Sequence, residues 1–169
     1  MINLNTIKYQ NFSTNPVAFS GHIPEAEKMV KDINLARLYG ASNLGKIEIN
    51  GKIFDIKNTS SEYFSISDKI KQLGYIAMTN REYNGKSCYS VAEISNFSRE
   101  KGLGTKLMQI GYKSHKDNGK TGEFRVHDVA IEAEEFYEKL GFIEDPKRAE
   151  QWYLPFENEH ILEQYNGGL

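Results

Sequence analysis

The 169-residue sequence contains one cysteine, Cys88, and therefore has neither an intramolecular disulfide nor a zinc site built from several cysteines. No apolar run approaches the length of a membrane span, and the N-terminal stretch MINLNTIKYQ lacks the apolar core of a signal peptide. The sequence also has no internal repeat and no low-complexity tract. These absences favour a cytoplasmic protein that has no membrane partner.

Charge of either sign is not in excess. The 21 basic and 23 acidic residues give a formal net charge of −2, so no general attraction to nucleic acid is expected. His22, His115 and His160 are scattered without metal-ligand spacing, and no metal site is predicted. A hydrophobic content of 39% and a charged content of 26% suit one globular domain over residues 1–169.

The first half of the chain changes from a helical to a strand-like pattern. Pro24, two early glutamates and the spacing of apolar residues predict a helix over 24–39, which ends at Gly40. Strand-like alternation runs from Lys46 to Ser67 around Asn50-Gly51, a dipeptide typical of tight hairpin turns. Two further strands are predicted over 74–79 and 87–97, separated by a turn at Asn84-Gly85.

The second half alternates between helices and strands. A helix is predicted from Leu103 to the turn at Asn118-Gly119, and a short strand over 123–129 follows it. A second helix covers 131–140, and a late strand covers 152–154. This order predicts a mixed α/β or α+β domain without repeated βαβ units.

The run Arg99-Glu100-Lys101-Gly102-Leu103-Gly104-Thr105 joins a predicted strand to a predicted helix. A glycine-rich turn there points backbone N–H groups at one spot, next to the positive end of a helix dipole, as phosphate-binding sites do. Thr105-Lys106 after Gly104 is the wrong order for an ATP-binding P-loop, and Leu107 replaces the third glycine of the dinucleotide fingerprint. An ordinary strand-to-helix turn is the alternative explanation.

Two motifs together resemble the GNAT superfamily of N-acetyltransferases. Arg99, Gly102 and Gly104 match the family loop Arg/Gln-x-x-Gly-x-Gly/Ala. Phe136-Tyr137 through Leu140-Gly141-Phe142 match the later helix, which carries a tyrosine and ends in Leu-Gly-Phe. The resemblance covers residues 87–142. It implies a central mixed, mostly antiparallel sheet with flanking helices, in which two parallel strands splay apart at a cofactor cleft.

The resemblance implies that acetyl-CoA binds where strands 87–97 and 123–129 separate. The pantetheine arm would lie along the strand edge near Ala92, Glu93 and Ile94. The pyrophosphate would lie on the amides of residues 100–105, namely Glu100, Lys101, Gly102, Leu103, Gly104 and Thr105. Arg99 would supply a cation, whereas Lys101 and Lys106 either assist or are solvated surface charges. Ala130 departs from the family pattern, because many members carry an asparagine there.

Direct attack of an amine on the thioester needs a base for the amine and a proton for the leaving thiolate. The resemblance assigns the proton donor to Tyr137, with a packed aromatic between Phe136 and Phe142 as the alternative. Glu93 is the only carboxylate within the central strand and is the candidate base. Family bases usually lie earlier, where Cys88 and Ser90 stand, but a β-bulge would change the face of Glu93. His127 and ordered water remain alternatives.

The sequence therefore predicts an acetyl-CoA-dependent N-acetyltransferase that acts on a primary amine. Two other interpretations stay open: a non-catalytic acyl-CoA-binding regulatory module, and a toxin or effector that acetylates a protein or an aminoacylated RNA. The acceptor is not readable from the motifs, although residues 24–72 and 143–160 are expected to line its side of the cleft. A homodimer is compatible with the sequence.

Overall fold

The computed structural model describes residues 42–166, so the helix predicted over 24–39 lies outside the described part. Within it, eight strands form one sheet: β1 Ser42–Ile49, β2 Lys52–Ser60, β3 Tyr63–Ser67, β4 Gln72–Tyr83, β5 Lys86–Asn96, β6 Phe124–His127, β7 Ile143–Glu144 and β8 Gln151–Leu154. The same residues form three α-helices: α1 Leu103–Asp117, α2 Glu134–Lys139 and α3 Glu159–Gln164. Short 3-10 helices over Ile131–Ala133 and Phe156–Asn158 precede α2 and α3.

The sheet order is β1-β2-β3-β4-β5-β6-β8-β7. Neighbouring strands run antiparallel except β5 and β6, which run parallel, so the predicted mixed and mostly antiparallel sheet is confirmed. Both Asn-Gly dipeptides form hairpin turns in the left-handed region, with φ of 51° and 75° at Asn50-Gly51 and of 52° and 73° at Asn84-Gly85. These two turns set the pairing register of the β1–β2 and β4–β5 hairpins.

One buried cluster joins α1 to a face of the sheet. It includes Leu103, Leu107 and Met108 of α1, each fully buried, together with Ile76 of β4 and Val91 of β5. The apolar residues of α1 are spaced in this way because they form one stripe of the helix, and that stripe packs on the sheet. This packing places the N-terminus of α1 near the C-terminal end of β5.

The structure also contains elements that the sequence pattern did not indicate. β7 has only two residues, both exposed, and α3 has six residues of which only Leu162 is buried, so neither carries a periodic signal. α3 is held to α1 by the Gln109 side-chain amide, which donates to the carbonyls of Leu162 at 2.9 Å and Tyr165 at 3.0 Å. The predicted helix over 131–140 consists of a 3-10 turn followed by α2.

None of the helices within residues 42–166 has the length and apolar character that crossing a membrane would require. In the same part of the chain, no three His, Cys, Asp or Glu side chains are grouped so that they could hold a metal ion.

Candidate active site

The glycine loop leads directly into the N-terminus of α1. Gly102 has a φ of 82°, a left-handed conformation that glycine adopts without steric cost, and α1 begins at Leu103. The amide of Lys106 donates to the Gly102 carbonyl at 3.1 Å. In an α-helix that begins this way, the three amides of Leu103, Gly104 and Thr105 have no acceptor four residues back. They form the positive end of α1, and no acidic residue occupies its first turn.

A side-chain turn holds the segment before this loop. The Asn96 Oδ1 accepts hydrogen bonds from the amide and the hydroxyl of Ser98, both at 2.9 Å. The Ser98 Oγ in turn accepts from the amide of Glu100 at 3.1 Å, and the Asn96 side-chain amide donates to the Glu100 carbonyl at 3.3 Å. The Glu100 amide is therefore already engaged, which narrows the expected phosphate-binding amides from residues 100–105 to those that follow Glu100.

The side chains of the loop differ in their exposure and their partners. Arg99 and Lys101 are exposed, whereas the Glu100 carboxylate lies against the Asn50-Gly51 turn. Hydrogen bonds from Lys52 and then Asn50 hold the pKa of Glu100 below its usual value. The long cationic side chains of the loop thus point toward solvent, whereas its one carboxylate faces the β1–β2 hairpin.

The parallel strands separate part-way along β5, before the chain reaches this loop. β5 and β6 pair only at Ser90 with Arg125 and at Val91 with Val126, although β5 continues to Asn96. The part of β5 beyond Val91 therefore keeps its pairing with β4 and leaves its other edge without a strand partner among the described residues. Ala92 and Ile94, the predicted pantetheine-binding positions, lie on this stretch.

A β-bulge decides which face of the sheet carries Glu93. Ala77 of β4 pairs with Glu93 and the next residue, Met78, pairs with Val91, so Ala92 is an extra residue on β5. Val91 and Ile94 consequently both lie in the buried cluster under α1, and Glu93 lies on the opposite face. Without the bulge, Glu93 would point into the apolar core.

On that opposite face Glu93 has an aromatic neighbour. The Tyr75 hydroxyl donates to Glu93 Oε1, and the Tyr75 ring stacks on Tyr63 at 5.5 Å and contacts Phe97 at 5.7 Å between ring centroids. Burial, and then the Glu93 charge, raise the pKa of Tyr75 far above its usual value. Tyr75 therefore stays protonated and acts as a hydrogen-bond donor that orients the carboxylate.

Tyr137 lies in the apolar core between two aromatic rings. Its side chain is 4% exposed, and its ring contacts Phe136 at 5.1 Å and Phe142 at 5.8 Å between centroids, both edge to face. Desolvation alone raises the pKa of its phenol well above the usual value. The residue is thus both a packed aromatic and a hydroxyl that keeps its proton throughout the physiological pH range.

Two other candidates, Cys88 as nucleophile and His127 as base, lie on strands β5 and β6. Burial raises the pKa of the Cys88 thiol to about 11, so this thiol stays protonated and unreactive. His127 Nδ1 of β6 lies 2.7 Å from the hydroxyl of Ser90 on β5. Ser90 is one of the two β5 residues that pair with β6. His127 is therefore hydrogen-bonded at the point where the strands begin to separate.

Comparison with known proteins identifies the fold. The chain matches the family model described as Acetyltransferase (GNAT) domain over residues 48–158. The chain belongs to the GNAT acetyltransferase family. A GNAT domain performs acyl transfer and takes its acyl group from an acyl-CoA, so this protein is classed as an acyltransferase.

A solved structure of a KacTA–DNA complex contains a chain that is similar to this GNAT protein. The two share 16% sequence identity, the match covers 90% of this chain and 92% of the other, and the TM-score is 0.50. At this identity the likeness concerns the fold alone. No curated protein matches the sequence.

Two contacts of this GNAT site had no signal in the sequence. Asn50 and Lys52 reach Glu100 across about fifty positions, and Tyr75 reaches Glu93 from the neighbouring strand. The Asn50-Gly51 dipeptide indicated a turn but not what the turn touches. Only the pairing of the strands and the bulge bring these residues together.

Proposed function

We propose that the protein transfers an acetyl group from acetyl-CoA to a primary amine by direct attack of the amine on the thioester. The observation that carries this proposal is the combination of two features at one end of β5. The left-handed Gly102 opens α1 beyond the end of β5, and β5 parts from β6 after Val91. In a GNAT domain this arrangement suits a nucleotide diphosphate at the helix and an extended thioester arm in the cleft.

The chain offers specific groups for each part of acetyl-CoA. The amides of Leu103, Gly104 and Thr105 suit the diphosphate because they point out of the positive end of α1. Exposed Arg99 and Lys101 can add charge there. The strand edge at Ala92 to Ile94 suits the amide groups of the pantetheine arm, which would bind like an added strand.

We propose Tyr137 as the proton donor to the leaving thiolate. A free thiol has a pKa near 8.5 and a phenol one near 10, so the phenol can supply the proton once the thiolate forms. The apolar surroundings that raise the pKa of Tyr137 also disfavour a bare thiolate. Both effects support a proton that stays on Tyr137 until the carbon–sulfur bond breaks and then moves to sulfur.

We propose Glu93 as the group that accepts the proton of the incoming amine, directly or through water. The bulge places its carboxylate away from the core and beside the unpaired edge of β5. The hydrogen bond from Tyr75 keeps this carboxylate in one orientation. His127, which is bonded to Ser90, is the alternative base on β6.

The test is a thiol-release assay with acetyl-CoA and a panel of amines, namely small polyamines, aminoglycosides, amino acids and peptide N-termini. We expect Tyr137→Phe to lower kcat by about 10²- to 10⁴-fold, the usual contribution of a positioned proton donor, while the Kd for CoA is unchanged. Glu93→Gln should lower kcat/KM with the same acceptor. Tyr112→Phe is the matched control, since Tyr112 is another buried tyrosine of the same core.

The outcomes separate the competing functions. Binding of acetyl-CoA without turnover of any amine favours a non-catalytic regulatory module. Turnover confined to protein or aminoacyl-RNA acceptors favours an effector. Failure of calorimetry to detect binding of any CoA compound would overturn the proposal altogether.

A further inference from the structure

The β1–β2 hairpin projects beyond its neighbour in the sheet. The pairing of β1 with β2 continues up to the turn, where Ile49 pairs with Lys52, whereas the first residue of β2 that pairs with β3 is Asp55. The hairpin therefore extends three residues past the end of β3. Ile49 and Phe54 of this overhang are buried in the same cluster as α1, so the overhang is packed against the molecule.

The projecting turn contacts the glycine loop at several atoms. The side-chain amide of Asn50 donates to Glu100 Oε1 at 3.1 Å and to the Lys101 carbonyl at 3.0 Å. Lys52 Nζ forms an ion pair with Glu100 Oε2 at 2.8 Å. A Cβ placed on Gly102 would lie 3.9 Å from the Ile49 side chain, so the backbone of the loop passes close to the hairpin.

These contacts compensate the negative charge of Glu100, which is unfavourable next to a phosphate-binding loop. Glu100 stands two residues before the left-handed glycine, and its lowered pKa means that it is ionised at neutral pH. A free carboxylate there would repel the diphosphate of an acyl-CoA. Lys52 compensates this charge, and together with Asn50 it holds the carboxylate on the hairpin side of the loop.

The same contacts restrict the backbone before α1. The Ser98 hydroxyl accepts from the Glu100 amide, the Asn96 side-chain amide donates to the Glu100 carbonyl, and Asn50 donates to the carbonyl of Lys101. The two residues before Gly102 are thus held from two sides before any ligand binds. Ordering a binding loop in advance raises affinity because the ligand does not have to supply the ordering free energy.

We propose that Asn50 and Lys52 of the β1–β2 hairpin are positioning residues for the diphosphate of acyl-CoA, which they affect through Glu100 and Lys101 without touching the ligand. The proposal rests on the proposed function, since it assumes that the amides at the start of α1 bind acyl-CoA. It assigns to the β1–β2 hairpin a role in cofactor affinity that is separate from the acceptor side.

The first experiment compares Asn50→Gly with Asn84→Gly. Glycine keeps the left-handed turn and removes only the side-chain amide, and Asn84 holds the equivalent position in the β4–β5 turn, which lies at the opposite end of the antiparallel strands. We expect Asn50→Gly to weaken CoA binding by about 5- to 30-fold, the effect of losing one or two hydrogen bonds, and Asn84→Gly to leave it unchanged. Calorimetric titration with CoA measures both.

A shortened donor separates positioning from general damage. S-acetylpantetheine lacks the diphosphate, so kcat/KM with this donor should be the same for wild type and Asn50→Gly, while kcat/KM with acetyl-CoA falls. Equal losses with both donors, or a CoA Kd within twofold of wild type, would overturn the inference. If the wild type itself binds no CoA, the proposed function and this inference are both wrong. If the wild type binds CoA and Asn50→Gly binds it equally well, only this inference is wrong.

A charge cycle tests the role of Lys52. We expect Lys52→Ala to weaken CoA binding, and the loss to shrink as salt rises, because it leaves Glu100 uncompensated near the diphosphate. Adding Glu100→Gln to Lys52→Ala should restore most of the affinity. Lys46→Ala is the control, since it breaks the exposed Lys46–Asp55 pair of the same hairpin at 3.1 Å. Absence of rescue by Glu100→Gln would contradict the electrostatic part of the inference.

Discussion

His115 is a buried histidine whose two ring nitrogens both serve the structure. Nδ1 accepts a hydrogen bond from the Tyr89 amide at 3.2 Å, and Nε2 lies 2.9 Å from the Gly122 carbonyl, to which it donates. The ring is 1% exposed and joins the end of α1 to β5 and to the segment before β6. Burial lowers its pKa from 6.5 to about 4, so the folded protein keeps it neutral.

This histidine should make stability depend on pH. Above pH 6.5 the histidine is neutral in both states, but between pH 6.5 and about 4 the unfolded chain binds a proton that the folded chain excludes. As the pH decreases through this window, the free energy of unfolding therefore decreases too, by roughly 3 kcal/mol through His115. Urea denaturation at several pH values should show a smaller decrease in His115→Gln than in wild type.

The control for this measurement is His160→Gln. His160 is exposed on α3, so its removal should leave the pH dependence of wild type unchanged. Identical pH slopes for His115→Gln and wild type would contradict the assignment of His115 as a buried neutral group.

At this scale, local sequence features predicted some roles and not others. The left-handed glycine at 102 and the asparagines of the two turns follow from the conformations that these residue types adopt. The surroundings of Glu93 did not follow, because Tyr75 reaches it from another strand. The proposed roles of Tyr137 and Glu93 in catalysis stay predictions until the variants are assayed.

Among the elements, α1 and β4 are in close contact at two glycines, Gly74 of β4 and Gly111 of α1. A Cβ on Gly74 would lie 2.4 Å from the Ser95 carbonyl oxygen and 2.5 Å from Leu103 Cδ2. A Cβ on Gly111 would lie 2.7 Å from the Ile76 side chain. Because Gly74 has no side chain, Leu103 of α1 can pack directly against β4 at this point.

Gly74→Ala should therefore destabilise the fold. Its methyl group would meet backbone on one side and the first residue of α1 on the other, so overpacking should cost about 1–3 kcal/mol. The midpoint of urea unfolding measures this loss. Glu82→Ala, at an exposed position of the same strand, should leave the midpoint nearly unchanged. A Gly74→Ala midpoint equal to that of Glu82→Ala would refute the steric argument.

The types of element were largely predictable, and their ends less so. The hairpin turns, α1 and the strand that follows it were confirmed because each has a local signal in periodicity or turn residues. β7 and α3 were missed because two and six residues are too few to show a period. The bulge at Ala92 was only an open alternative, since no residue type marks it.

Across the whole molecule, a narrow parallel junction connects two antiparallel parts of the sheet. Arg125 of β6 lies at this junction and pairs with Asp145, and both side chains are less than 10% exposed. Its guanidinium also lies over the Tyr83 ring of β4, 4.2 Å from the centroid. Arg148 shares the Asp145 carboxylate at 3.3 Å, so the loop before β8 is held to the same group.

Asp145→Asn should reveal how much the fold depends on this ion pair. The change leaves the buried Arg125 charge uncompensated, which typically costs about 3–5 kcal/mol. Thermal and urea unfolding should both show the loss. Lys113→Ala, which breaks the exposed Lys113–Asp117 pair, should cost about 1 kcal/mol or less.

A double variant distinguishes a charge effect from a shape effect. Arg125→Met with Asp145→Leu removes both charges and should recover much of the stability lost in Asp145→Asn. If Asp145→Asn costs no more than Lys113→Ala, the pair is not the compensated charge that its burial indicates.

The sequence alone determined what depends on neighbouring residues: the hairpin turns, the left-handed loop before α1, and the two motifs that placed the chain in its family. The tertiary structure decided which face Glu93 occupies, where β5 leaves β6, and that the β1–β2 hairpin reaches Glu100. The physical reason is that backbone preferences and side-chain periodicity act over a few residues. Strand register, a bulge and a contact across fifty positions are instead set by the packing of the whole core.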